Sequence, residues 1–277
     1  MTPVFRTFTL NTGDEMPAIG LGTWRSDRSQ VSKAVETALR AGYRHIDTAL
    51  AYGNEREVGA GIRASQVPRE EIWVSSKLRN NWHKHARQCV DKSLRNLGLD
   101  YFDIKSGGVC YKDWDYVDTW VEMQKLVDED KVRNIGVSNF GIQHLEKLLN
   151  SPSTDIELHP CNPSPTLVAY NTSRGIHTEA YSCLGSAHSV LYRNEALLNI
   201  AEAKKKAPQQ VLLQWGLQKG WSVVPKSVTP SRIESNLDLD GWELSDNEIA
   251  ELDGIKEQFK VVNDGFLPIK VFFGDDE

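Results

Sequence analysis

Cysteine is scarce in this 277-residue chain: Cys89, Cys110, Cys161 and Cys183 are scattered, with no pair at metal-ligand or redox spacing. Reduced thiols in a cytoplasmic protein are the expectation. No apolar stretch approaches the roughly 20 residues that cross a bilayer, and no leader with an apolar core precedes the first expected strand. A basic excess is lacking too, since 32 Lys and Arg stand against 38 Asp and Glu for a net charge of −6. Nucleic acid and membrane surfaces are therefore poor partners, although a local basic pocket is compatible with that balance. Repeats, low-complexity tracts and linkers are absent, and 1–277 reads as one domain.

What the chain does have is a rhythm. With 40% hydrophobic and 25% charged residues it can bury a large core. Phe8 to Met16 reads as an opening hairpin with its turn at Asn11 to Asp14. Strands are expected at 18–22, 43–47, 72–76, 101–106, 132–137, 155–158, 176–181 and 222–225. Amphipathic helical patterns fill the gaps, at 30–41, 55–64, 84–97, 114–128, 142–149, 166–173, 195–206 with 208–219, and 231–237. Ser245-Asp246-Asn247-Glu248 has the form of a capping box opening one more helix. Eight strand-then-helix units in one chain predict an α/β fold, a closed (β/α)8 TIM barrel with an N-terminal hairpin and an extra C-terminal helix and tail.

Barrel enzymes gather chemistry at the C-terminal ends of their strands. Asp47 ends the second expected strand, Tyr52 follows in Ala51-Tyr52-Gly53-Asn54-Glu55, and Lys77 ends the third. Ser138 and Asn139 follow the fifth, Tyr181 and Ser182 the seventh, Lys226 and Ser227 the eighth. Taken singly, Asp47 reads as a cap or an arginine partner, Tyr52 as a loop aromatic and Lys77 as a solvated strand end. Together they make a proton donor, because an ammonium beside a phenol lowers its pKa from near 10 and a carboxylate holds the amine in place.

The eighth unit, Val224-Pro225-Lys226-Ser227-Val228-Thr229-Pro230-Ser231-Arg232-Ile233-Glu234-Ser235-Asn236, brings two cations and hydroxyls to a helix start. Backbone N–H groups there attract an anion, so a phosphate is the expected guest; a capped surface helix with two solvated cations is the alternative.

Gly20-Leu21-Gly22-Thr23-Trp24, Tyr43-Arg44-His45-Ile46-Asp47-Thr48-Ala49, Tyr52-Gly53-Asn54-Glu55, Ile135-Gly136-Val137-Ser138-Asn139-Phe140, Glu157-Leu158-His159-Pro160, Ala180-Tyr181-Ser182 and the Val224 to Asn236 stretch together resemble the motifs of the aldo-keto reductase family in its order. The closing Asn263-Asp264 and Phe272-Phe273-Gly274-Asp275 resemble fungal members. The resemblance implies NADP(H) as cofactor, a small carbonyl compound as substrate, and a monomer. Lys226, Ser227, Arg232 and Asn236 would hold the 2′-phosphate end, Tyr181 would stack on the nicotinamide, and Ser138 and Asn139 would hold its carboxamide. Thr23, Asp47, Ser182 and Leu184 join the implied cofactor set, and Trp24, Tyr52 and Gly108 the implied substrate set. Tyr52, Asp47 and Lys77 are the implied catalytic residues, with no metal.

Four departures from the family pattern stand out. Gly108 occupies the place of the family's active-site histidine, and no other histidine in the sequence takes over that role. Losing one oriented donor commonly costs two to three orders of magnitude in rate. The loop before the helix at 114–128 is short, and Thr154-Asp155 replaces the family's amide pair beside the nicotinamide. Lys105 and Ser106 place polarity on the fourth strand, through either a register shift or a lysine that reaches the rim. These departures keep two other readings beside carbonyl reduction: non-redox proton chemistry (dehydration, isomerisation or cyclisation), and a weak NADP-binding pseudoenzyme.

Overall fold

The computed structural model describes residues 6–107, 114–148, 153–186 and 189–262. Two short strands, β1 (Thr7–Thr9) and β2 (Glu15–Pro17), pair antiparallel as the expected hairpin, with Phe8 opposite Met16. The turn closes through Leu10 N to Asp14 O at 2.9 Å, with Gly13 at φ 90°, in the left-handed region that glycine enters without a Cβ penalty.

Eight parallel strands follow: β3 (Leu21–Gly22), β4 (His45–Asp47), β5 (Trp73–Lys77), β6 (Phe102–Gly107), β7 (Val132–Ser138), β8 (Ser153–Glu157), β9 (His177–Tyr181) and β10 (Ser222–Val223). Each pairs with its neighbour in sequence. Bridges Ile19 to Val223 and Gly22 to Lys226 join the first strand region to the last and close the barrel. Glycine is needed at position 22, because a Cβ there would stand 2.7 Å from the Val224 carbonyl oxygen. Leu10 and Met16 of the hairpin pack with Trp73 and Ile104, so the hairpin plugs the end of the barrel opposite the strand C-termini. Asn134 of β7 pins its turn, donating to Asp14 at 2.7 Å and accepting from Thr12 at 2.6 Å.

The helices are α1 (Arg28–Ala41), α2 (Glu55–Ser65), α3 (Ala86–Leu97), α4 (Tyr116–Asp128), α5 (Ile142–Leu148), α6 (Pro165–Ser173), α7 (Glu195–Lys204), α8 (Pro208–Gln218), α9 (Pro230–Leu237) and α10 (Asp246–Asp253). Their spacing of apolar residues buries one face; α1 turns Val31, Ala34, Val35, Ala38 and Leu39 inward. Asp27 caps its start and Gly42, at φ 117°, ends it. The Ser245–Glu248 capping box forms as expected. The segment expected to start α3 at Lys84 is instead a 3₁₀ stretch, Asn80–His85, and buried His83 bridges to Thr119 of α4 at 3.3 Å.

Lys105 resolves the question raised by β6. Register is regular, Ser75 to Ile104, Ser76 to Lys105 and Lys77 to Ser106, so no slip has occurred. Lys105 is fully buried and points between the barrel wall and α3, donating to Ser76 at 3.0 Å and Ser93 at 3.5 Å. Ser76 in turn donates to buried Glu55 at 3.3 Å, which also accepts from Asn96 at 2.9 Å. Lys105 thus ties the wall to its helix layer and does not reach the rim.

β8 also fastens the C-terminal segment. The Glu157 carboxylate accepts from the backbone N–H of Val261 at 2.5 Å and of Val262 at 2.9 Å. Next to it, His159 bonds Glu157 at 3.1 Å and stacks on Phe259 with ring centroids 4.6 Å apart.

Candidate active site

The C-terminal ends of β4 and β5 bring Asp47 and Lys77 together, and Lys77 Nζ donates to Asp47 Oδ1. The same ammonium lies 3.4 Å from Asp155 Oδ2 on β8 and 5.8 Å from the centroid of the Tyr52 ring. Tyr52 is delivered by a single 3₁₀ turn, Leu50–Tyr52, which Gly53 ends at φ 71°. Burial pushes the Tyr52 phenol upward, and Asp47 and Asp155 add to that, while Lys77 pulls it down. The net direction is upward, opposite to the sequence expectation, because desolvation of the phenolate outweighs one ammonium already shared among carboxylates. The phenol is thus protonated at neutral pH, as a proton donor must be.

Burial also works against the charge on Lys77, yet Asp47, Tyr52, Asp155 and Glu179 together hold it well above the usual lysine range. Below it lies a cavity lined by Met16, Asp47, Ser75, Lys77, Asp155 and Glu179 among others. Glu179, buried in β9, is pushed far upward by burial and by its acidic neighbours. His45 faces it at 3.7 Å, bonds Ser75 at 2.8 Å, and is driven down to about 3 by burial. Sequence reasoning missed Glu179 and assigned no role to His45. The available signal was a charged residue in the middle of an otherwise buried strand.

A second group of expected residues adjoins the first. Tyr181 donates to Asn139 Oδ1 at 2.6 Å, and Asn139 donates to Ser138 Oγ at 3.0 Å. Ser138 in turn donates to Asp155 Oδ2 at 3.5 Å. Asn139 and Ser182 both have positive φ, 64° and 49°, which sets the sharp turns after β7 and β9. Tyr181 lies within electrostatic reach of Tyr52 and Lys77, so both groups share one mouth. Leu184 continues that loop, its carbonyl accepting from Tyr192 at 2.9 Å.

The basic end sits on the same rim. Lys226 is bridged to Gly22, and the next residue, Thr23, is fully buried with its hydroxyl on the Asp47 carbonyl at 2.9 Å. Asn54 ties the loop further, donating to the carbonyls of Thr23 at 3.1 Å and Ser26 at 3.2 Å. Trp24 is half-buried there, with the Arg25 guanidinium 4.4 Å above its ring. Ser227 accepts from Thr229 N at 3.2 Å just before α9, while Arg232 is exposed and Asn236 buried on that helix. Neither Lys226 nor Arg232 forms an ion pair among the described residues. Two exposed, unpaired cations at a helix start suit a phosphate.

At the opposite end of this path, buried Asp155 Oδ1 has no hydrogen-bond partner, and so remains available to a carboxamide. The residues present therefore fit a phosphorylated nicotinamide nucleotide. Gly108 lies outside the described residues, as do Asn263-Asp264 and the Phe272 to Asp275 run. No described helix is long and apolar enough to cross a membrane.

Comparison with known proteins agrees in sequence and in shape. The chain is 38% identical to glycerol 2-dehydrogenase (NADP(+)) of Saccharomyces cerevisiae over 304 aligned positions, covering 96% of this chain and 97% of that one. Those positions outnumber the 277 residues here, so the yeast protein carries segments without a counterpart in this chain. A methylglyoxal reductase of Escherichia coli is 37% identical, covering 88% and 90% of the two chains. Among solved structures, the aldose reductase of Schistosoma japonicum superposes with a TM-score of 0.88 at 35% identity, covering 93% and 94%. The model of the aldo/keto reductase family matches residues 18–257, from the first barrel strand to the end of α10, and the chain belongs to that family.

Proposed function

We propose that this protein is an NADP(H)-dependent oxidoreductase that reduces an aldehyde or ketone to an alcohol, with Tyr52 as general acid. The convergence of Tyr52, Lys77 and Asp47 at one barrel mouth carries that reading. When bound, the reduced nicotinamide supplies the hydride. Tyr52 gives its proton to the carbonyl oxygen as negative charge develops there. Lys77 stabilises the phenolate left behind, and Asp47 keeps the ammonium charged and aimed.

Tyr181 offers a flat face for the ring, and Ser138, Asn139 and Asp155 fix its carboxamide so that one face meets the substrate. Lys226, Ser227, Arg232 and Asn236 grip the 2′-phosphate end, and Thr23, Ser182 and Leu184 line the path between the two ends. Trp24 stands at the substrate side of the mouth. The names of the relatives suggest small polyol-derived and dicarbonyl compounds as the first members of a substrate panel.

The test is to follow NADPH absorbance with such a panel, for the native chain and for Tyr52→Phe. Carbonyl-dependent oxidation that falls by about 10²- to 10⁴-fold in the variant, with nucleotide binding retained, is the expected result. Tight nucleotide binding without turnover across the panel would overturn the assignment.

A further inference from the structure

We propose that Asp155 makes this site discriminate between the two redox states of its nucleotide, favouring the oxidised, cationic nicotinamide once the carboxyl is ionised. The inference rests on the reading of this mouth as an NADP(H) site.

Asp155 sits opposite Ser138 in the β7–β8 pairing and is 6% exposed. One oxygen is shared between Ser138 at 3.5 Å and Lys77 at 3.4 Å; the other, Oδ1, is buried and has no partner. A buried acceptor left unsatisfied is costly, so it draws a donor or a positive charge from whatever occupies the mouth. A carboxamide N–H answers that need in either redox state. A positively charged ring adds an attraction that the neutral dihydro ring lacks, and an uncharged amide side chain at this position could not tell the two apart.

The groups facing Asp155 leave it able to act. Lys77 on β5 hydrogen-bonds Asp47 on β4, so its charge is already engaged. Burial, then Asp47 and Asp155, push the carboxyl of Glu179 on β9 well above its usual range. Burial keeps the phenols of Tyr52 and Tyr181 protonated. Burial first, then Asp47, pushes Asp155 up to about 6 against the pull of Lys77, so its charge appears as the solution passes from mildly acidic to neutral.

Calorimetric titration of the full chain with NADP⁺ and with NADPH, at several pH values from about 5.5 to about 8.5, tests this. The 2′-phosphate is common to both nucleotides and cancels in the ratio of their affinities. The ratio is expected to move toward NADP⁺ by about tenfold as pH rises, the size of one partly screened charge pair. In Asp155→Asn it should be flat and sit near the wild-type acid limit. Binding of both nucleotides with a pH-independent ratio, unchanged by the substitution, would overturn the inference and spare the cofactor reading. Failure of the native chain to bind either nucleotide would overturn both.

Discussion

Lys105, fully buried, donates to the Ser76 hydroxyl at 3.0 Å and forms no ion pair among the described residues. Burial pushes its amine downward, and hydrogen bonds join it to Glu55 only through Ser76. A buried charge without a direct counter-ion carries a desolvation cost that an apolar side chain of similar length does not. Lys105→Met should therefore leave nucleotide affinity unchanged and change unfolding free energy by between zero and about +2 kcal/mol in denaturant melts. A selective loss of turnover in a stably folded variant would mean that the lysine serves the chemistry.

Asp47 and Lys77 act on Tyr52 as a unit, because the carboxylate bonds the ammonium that faces the phenol ring. Asp47→Asn and Lys77→Met are each expected to lower kcat/KM by about 10²- to 10³-fold, the usual size of a lost oriented charge in such a site. The double variant should fall well short of the product of the two losses. Fully multiplicative losses would show that the two side chains work separately.

Arg232 is exposed on α9 with no ion-pair partner among the described residues, so a 2′-phosphate is the natural source of its counter-charge. Arg232→Ala should weaken NADPH by about 10- to 100-fold, matching the loss of a charge-assisted hydrogen bond, and NADH by about twofold or less. Equal losses for the two nucleotides, measured by fluorescence titration, would refute the phosphate contact.

Histidines wholly or partly buried give the fold an acid limit. His177 packs against Phe8 with centroids 4.9 Å apart, bonds Ser222 at 2.9 Å, and is driven down to about 4 by burial. As pH falls below about 6.5, the unfolded chain binds a proton that folded His177 refuses until about 4, so stability declines across that window. His83, near 4, and His45, near 3, act in the same direction. Asp155, raised to about 6, opposes them, because its folded carboxyl takes up a proton first and so gains stability as the solution acidifies below that value. Urea melts at neutral pH and near pH 4.5 should show a smaller acid loss for His177→Asn than for the native chain. An unchanged pH dependence would remove His177 from this account.

The rim was legible in the sequence because Asp47, Lys77 and Tyr181 each stand at the end of an expected strand, and that placement survives without knowledge of tilt or packing. Lys226 and Arg232 were legible because Pro230 marks where the helix begins. The barrel interior was harder. In a strand buried on both faces, alternation cannot say which face looks inward, so Glu179 and His45 went unassigned and Lys105 had two possible destinations. The upward shift of Tyr52 was hidden for another reason: desolvation depends on everything that surrounds the ring, whereas the sequence offered one neighbouring charge.

Glu157 captures two successive main-chain amides, those of Val261 and Val262, and asks nothing of the side chains that follow them. Such a clasp fixes where the polypeptide runs while leaving its residues free to diverge, proline excepted, for want of an N–H. Evolution can therefore redecorate the strap beyond β8 without moving its anchor, whereas shortening the anchor itself to aspartate would release the strap whatever its composition.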